Sequence, residues 1–319
     1  MYQIGVDLGG TNIAIGLVDD ERKIILKDSV PTALPRSAQE IIEDIATLTR
    51  SLAERAGLSL SDARWVGLGT PGTANVQTGV IEYANNLKFE NVPVCKMLET
   101  ALGRPIYIEN DANAAAYGEY VAGAAQGGTS AVVITLGTGV GGGAIIDGNI
   151  YHGSNFAGGE FGHTVIRVGG RPCTCGRHGC WETYSSATGL IQTTVEAMKA
   201  DKSSKMWEIA DGDLSKVNGK TAFDGKRAGD ATATRVVDEY LIDLGQGLVN
   251  VINIFQPDVL CIGGGVSKEG DGIIKPLEEI IRAERYSKFA KKQTVLRTAS
   301  LGNDAGIIGA AMIGNLYTA

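Results

Sequence analysis

Residues 4–19, IGVDLGGTNIAIGLVD, and residues 132–147, VVITLGTGVGGGAIID, align without gaps. Leu8, Gly9 and Asp19 fall on Leu136, Gly137 and Asp147, and the apolar positions agree along most of the length. Each stretch reads as strand, glycine turn, strand. One β-hairpin unit used twice predicts a duplicated architecture. Strands alternating with helical patterns elsewhere make the class α/β. A chain of 319 residues is long enough for two domains. The expected division is a smaller N-terminal α/β domain over 1–120 and a larger one over 121–303, with a C-terminal helix at about 304–319 packing back on the first.

Glycine is the compositional outlier, at 44 residues, about twice the usual share of ~7%. Three glycine turns follow apolar strands: LGGTN (8–12), LGTGVGGG (136–143) and IGGGVS (262–267). Such turns can aim backbone N–H groups at phosphate oxygens, which points to a nucleotide. Two familiar motifs do not fit. Gly137, Gly139 and Gly142 match G-x-G-x-x-G, but the residues after them read as strand, whereas a dinucleotide fingerprint leads into a helix. Gly219-Lys220-Thr221 resembles the end of a P-loop, yet Leu214 stands where its first glycine belongs.

Elsewhere, helical spacing marks 38–56, a stretch from Tyr184 to Ala200, and a long helix from Asp230 to Phe255. Residues 201–230 are polar and lysine-rich and read as surface helix and loop.

Three cysteines and a histidine crowd a short frame: His163, Cys173, Cys175 and Cys180. Thiolates with an imidazole suit tetrahedral zinc, and a closed four-ligand site is structural. His178 lies in the same loop and could replace His163. Glu160 and Glu182 flank the frame and suit polyol hydroxyls. Asp7 ends the first strand beside a glycine turn, where an acid can hold Mg²⁺ near phosphates. Asp111 ends the strand PIYIEND and opens an alanine-rich helix, so it reads either as an N-cap or as a general base. Cys95 and Cys261 read as buried small hydrophobes. Net charge is −7, which argues against nucleic-acid or anionic-membrane partners. The absence of a leader-like or spanning apolar segment, with reduced thiols, gives a cytoplasmic expectation.

Taken together, DLGGTN (7–12), END (109–111), LGTGVGGG (136–143), GGEFGH (158–163), CTCGRHGCWE (173–182) and IGGGVS (262–267) resemble the ROK family of repressors, open reading frames and sugar kinases. The likeness covers essentially the whole chain and is greatest to bacterial ATP-dependent glucokinases. It implies an actin-like (ribonuclease H-like) ATPase fold, two domains around a sugar cleft, and transfer of phosphate from Mg-ATP to the 6-hydroxyl of glucose. It further implies Asp111 as base, with Asn110, Glu160, His163 and Glu182 on the sugar. Gly72, in the GTPG loop, and Asn86 would be further sugar contacts. Asp7, Gly9, Gly10, Thr11, Asn12, Gly137, Thr138 and Gly139 would serve the phosphates, and Gly264 and Gly265 the adenosine. His163, Cys173, Cys175 and Cys180 would hold zinc, with Trp181 replacing the usual leucine. Metal removal should then weaken sugar recognition and leave the loops at 9–12 and 137–143 less affected. Sibling kinases for N-acetylmannosamine, mannose or fructose, and polyphosphate as donor, stay open. A repressor is disfavoured by the acidic balance and by the first strand beginning at Tyr2. A homodimer or homotetramer is expected from the resemblance.

Overall fold

The computed structural model describes Met1–Thr318. The first hairpin pairs β1 (Tyr2–Leu8) with β2 (Asn12–Asp19), Leu8 standing opposite Ile13. β3 (Ile24–Pro31) extends it, alternating half-buried and exposed as an edge strand does. α1 (Ala38–Arg55) follows. Ser37 and Glu40 form a reciprocal capping box at its start. Ile41, Ile42, Ile45, Leu48 and Leu52, at helical spacing, make its buried stripe. β4 (Ala63–Thr70) lies parallel to β1. β5 (Thr73–Asn75), β6 (Val80–Ala84) and β7 (Phe89–Val92) form a small antiparallel sheet. After α2 (Val94–Leu102), β8 (Ile106–Asn110) joins β4 in parallel and α3 (Asp111–Ala122) begins at once.

The pattern then repeats with β9 (Ala131–Leu136), β10 (Val140–Ile146) and β11 (Asn149–Ile150). A long excursion carries α4 (Glu182–Ser185), α5 (Ala187–Ala200), α6 (Met206–Ile209), α7 (Thr221–Arg227) and α8 (Ala231–Phe255). β12 (Val259–Gly264), α9 (Asp271–Glu284), β13 (Val295–Thr298) and α10 (Asp304–Met312) complete the chain.

The first sheet has the order β3-β2-β1-β4-β8 and the second β11-β10-β9-β12-β13. Strand for strand these are the same arrangement, each mixing antiparallel and parallel pairs. The aligned hairpins also stop and start at equivalent residues, Leu8 and Leu136, then Asn12 and Val140.

Two compact units result, one of Met1–Val132, Gly143–Gly159 and Ala299–Ala319, the other of Val133–Gly142 and Glu160–Thr298. Against the expected boundary at 120/121, residues 143–159 group with the first unit. Gly143 lies against Asn113 and Ala116 of α3 closely enough to explain this. α10 also belongs there. A Cβ on Gly5 would fall 1.9 Å from the Ile307 carbonyl oxygen, and one on Gly67 would fall 1.7 Å from that of Ala310. The helix therefore rests on bare strand backbone, as its all-round burial requires.

In the second unit, α8 buries Val236, Tyr240, Leu244, Leu248 and Ile252 along one stripe. The helical stretch expected over 184–200 is broken at Ser186, whose extended backbone caps α5. Residues 201–230 are less superficial than their composition implies, because Met206, Ala222 and Phe223 are buried. Cys261 is buried, and burial pushes the half-buried Cys95 thiol up to about 12. Among the described residues, no helix is long and apolar enough to cross a membrane.

Candidate active site

In the first unit the β1–β2 turn is held by Gly9 N–H to the Asn12 carbonyl, 2.9 Å, and by the Thr32 hydroxyl to the Gly9 carbonyl, 2.7 Å. Thr11 and Asn12 are exposed at its tip. Asn86 closes on this turn: a Cβ on Gly10 would lie 3.3 Å from Asn86 Cβ. Asn110 is the N-cap of α3, its side-chain oxygen accepting from the N–H groups of Ala112 and Asn113 at 3.0 and 3.2 Å. Its amide nitrogen donates to the Gly72 carbonyl at 3.1 Å. Gly72 has φ +85, and a Cβ there would strike the Tyr83 carbonyl, so only glycine fits. One side chain thus ties the 69–72 loop to the strand–helix junction.

Asp111 is therefore the first residue of the helix rather than its cap, which leaves its carboxylate available for chemistry. Burial raises its carboxyl above the ordinary value, partly opposed by the N–H of Ala112 at 2.8 Å. Burial also pushes Asp7 up to about 6, with the charge of Asp111 adding to the shift. Two acids sharing a desolvated space attract a proton or a cation.

In the second unit, His163 Nδ1 lies 3.5 Å from Cys173 Sγ, and Cys175 Sγ lies 3.7 Å from Cys180 Sγ. Zn–S bonds of about 2.3 Å and Zn–N bonds of about 2.0 Å, at tetrahedral angles, place S···S at about 3.8 Å and N···S at about 3.5 Å. All four donor atoms lie within 4.8 Å of one another, so the set fits zinc. The grouped imidazole is that of His163. His178 is exposed and joins its neighbour Pro172 through backbone. Because Nδ1 faces the sulfurs, Nε2 is left for another partner. The N–H of Arg177 holds the Cys175 thiol below its usual range.

The cysteine loop is fastened to α8. Arg167 reaches both carboxylate oxygens of Asp243 at 2.7 Å, and Trp181 Nε1 donates to the Asp243 carbonyl at 3.1 Å. Trp181 is wholly buried, and a Cβ on Gly247 would come within 1.9 Å of its ring. The tryptophan fits because α8 offers a glycine opposite it.

Glu182 opens α4 and is not an unengaged acid. Its Oε2 accepts the Val140 N–H at 3.0 Å, and its Oε1 lies 3.9 Å from Cys173 Sγ. A Cβ on Gly139 would overlap Oε2 at 2.1 Å. The N–H of Ala187 also donates to the Gly137 carbonyl at 2.9 Å. The glycine loop 137–139 is thus bound to the cysteine loop and its following helices, leaving Gly137 and Thr138 exposed. Glu160 is exposed just before the short helical turn that carries His163.

Gly264, at φ +93, packs against Leu136 backbone. Gly265 borders a cavity of about 430 Å³ with Asn218, Gly219, Lys220 and Glu269. The GKT stretch is no P-loop, since a short helical turn precedes it, yet Gly219 and Lys220 line this space. Of the expected residues, those from Asp7 to Asp111 gather in the first unit and those from Gly137 to Gly265 in the second. Sequence reasoning missed Glu109 and His152, which pair at 2.6 Å.

The ROK family model matches residues 3–315. The chain belongs to the ROK family. This ROK protein is 39% identical to a glucokinase of Halalkalibacterium halodurans over 97% of its own length and 93% of the relative's. Its structure is similar to that of a ROK glucokinase from Streptomyces griseus in complex with glucose and AMPPNP (TM-score 0.78, 34% identity, 98% of each chain). It is also similar to the ROK hexokinase of Thermus thermophilus (TM-score 0.83, 34% identity, 99% of each chain). Its two mixed sheets are those of the actin-like ATPase fold of ROK kinases.

Proposed function

We propose that this ROK sugar kinase transfers the γ-phosphoryl group of ATP to the 6-hydroxyl of glucose, with Asp111 as general base. The observation that supports it most is the setting of Asp111. It is a half-buried acid at the carboxyl end of β8, freed from capping by Asn110, with its carboxyl raised by desolvation towards the range where a base works. Its carboxylate accepts the hydroxyl proton as the phosphoryl group departs. A positioned base contributes roughly 10²–10⁴ in rate.

Asn110, Gly72, Asn86, Glu160, His163 Nε2 and Glu182 Oε1 offer the donors and acceptors a hexose needs. The N–H groups of 9–12 and 137–139 receive the phosphates, and the cavity beside Gly265 takes the adenosine end. Mg²⁺ neutralises phosphate charge when bound, and Asp7 is the acid placed to hold it. Zinc on His163, Cys173, Cys175 and Cys180 is structural. It fixes the ring whose other nitrogen meets the sugar.

The test is a hexose panel with ATP in a coupled ADP-release assay, run on wild type and Asp111→Asn. Glucose should be preferred, and the variant should bind it normally while losing most turnover. Activity confined to N-acetylmannosamine or fructose would overturn the substrate, and near-normal turnover in the variant would overturn the base.

A further inference from the structure

One residue before Asn110 lies a buried carboxylate to which the proposed reaction assigns no role. Glu109 is 1% exposed, and both its oxygens are engaged. Oε1 accepts the Asn110 backbone N–H at 2.8 Å and Asn113 Nδ2 at 3.0 Å. Oε2 lies 2.6 Å from His152 Nε2. A desolvated carboxylate needs donors on both oxygens. Two of these donors come from within four residues of Glu109. Among the described residues, the donor from elsewhere in the chain is His152.

His152 opens the loop 152–159 and fastens it twice. Its ring reaches Glu109, and its carbonyl accepts the Gly158 N–H at 2.8 Å. Phe156 sets its ring edge-on to the imidazole, with centroids 6.5 Å apart. Gly153, at φ +71, and Gly158 approach so closely that a Cβ on Gly158 would lie 2.7 Å from Gly153 N. The loop is therefore a closed ring of backbone anchored through a side chain to a buried carboxylate. Its chain runs directly into Glu160, and Glu109 runs directly into Asn110 and Asp111.

We infer that Glu109 and His152 are a positioning pair for sugar recognition, seating the 152–159 loop on the strand end that carries Asn110. This rests on the sugar-kinase reading. Neither residue touches a reacting atom, so the pair should govern how well the hexose is held, not the transfer step or the donor nucleotide. What the site requires at position 152 is an N–H at the reach of Nε2, which a glutamine amide can also supply.

The experiment compares wild type, His152→Ala, His152→Gln and Glu109→Gln by steady-state kinetics and by amide hydrogen exchange without substrates. His152→Ala should raise hexose KM about ten-fold or more, the scale of a lost charge-assisted hydrogen bond. ATP KM and kcat should change little. Exchange at Gly158 should quicken by about the same factor, since its acceptor is the His152 carbonyl. His152→Gln should recover most of both effects. Should His152→Ala fail to fold, Glu109→Gln keeps the shape and carries the same readouts. Unchanged exchange at 152–158 would overturn the pairing whatever the reaction is. Equal changes in both KM values would reassign it to general stability. A wild type inactive on every hexose would sink the kinase reading instead, leaving the exchange measurement to judge the pair.

Discussion

Asp7→Asn should make the protein more stable while disabling it. Burial, with the charge of Asp111, pushes the Asp7 carboxyl from 3.8 up to about 6. A folded value above the unfolded one means the native state keeps a proton that the unfolded chain releases. The associated stability is fully present below about 4 and is lost as pH rises through about 6. A shift of about two units corresponds to about 3 kcal/mol at pH 8. Asparagine has the same shape and no charge, so it avoids that penalty. In magnesium-free buffer at pH 8 the variant should therefore gain about 3 kcal/mol, roughly 5 °C in melting temperature for a chain of this size. At pH 4, where the wild-type residue is already protonated in the fold, the two melting curves should nearly coincide. Added Mg²⁺ should raise the wild-type melting temperature and leave the variant unmoved, and turnover should be lost. A variant that melts lower at pH 8, or a difference that ignores pH, would refute the claim that burial of this charge costs stability.

With Asp111 as the proposed base, turnover should fall on the acid side with a limb above the ordinary carboxylate value of 3.8, because a base must be ionised and burial raises this carboxyl. A profile of kcat/KM against pH that stays flat down to 4 would contradict this. Gly247→Ala should drive a methyl into the Trp181 ring and cost about 1–3 kcal/mol, the usual scale of overpacking. Adding Trp181→Leu should recover part of that loss in denaturation experiments, and strict additivity would show that the two residues do not meet. Chelation of the metal should weaken ADP binding as well as glucose binding, since Glu182 lies two residues beyond the ligand Cys180 and accepts the Val140 N–H. Calorimetry showing an unchanged ADP affinity in stripped protein would restore the narrower expectation that only the sugar side depends on the metal.

The parts of the fold that were legible in the sequence are those whose signals are local. A hairpin carries its alternation and its glycine turn within sixteen residues, and so the duplication could be read at 4–19 and 132–147. The clustering of four candidate metal donors could be read because all four fall within the span His163 to Cys180. The polar run 201–230 misled for the opposite reason. A few apolar residues, Met206, Ala222 and Phe223, decide its burial, and composition averages them away. The C-terminal helix is expected to pack on the first domain, but nothing local assigns it to β1 and β4. Gly5 and Gly67 make room for it from nearly the other end of the chain. The Glu109–His152 pair has the same character, joining residues 43 apart in sequence.

Glu182 shows where such reading stops. Two residues beyond Cys180, it could be picked out as an acid fixed by the metal loop and offered to a sugar. Spacing shows which atoms come near one another, but not which of their hydrogen-bonding positions are already taken. Oε2 holds the Val140 N–H, over a residue that must be glycine for the carboxylate to approach, and only Oε1 is left for a hydroxyl. On the proposed reading the same carboxylate is therefore both a sugar contact and a fastening for the glycine loop 137–139. A metal that orders Glu182 orders both. For that reason the metal loop, although its ligand set is closed and takes no part in bond making, should be felt at the nucleotide as well as at the sugar.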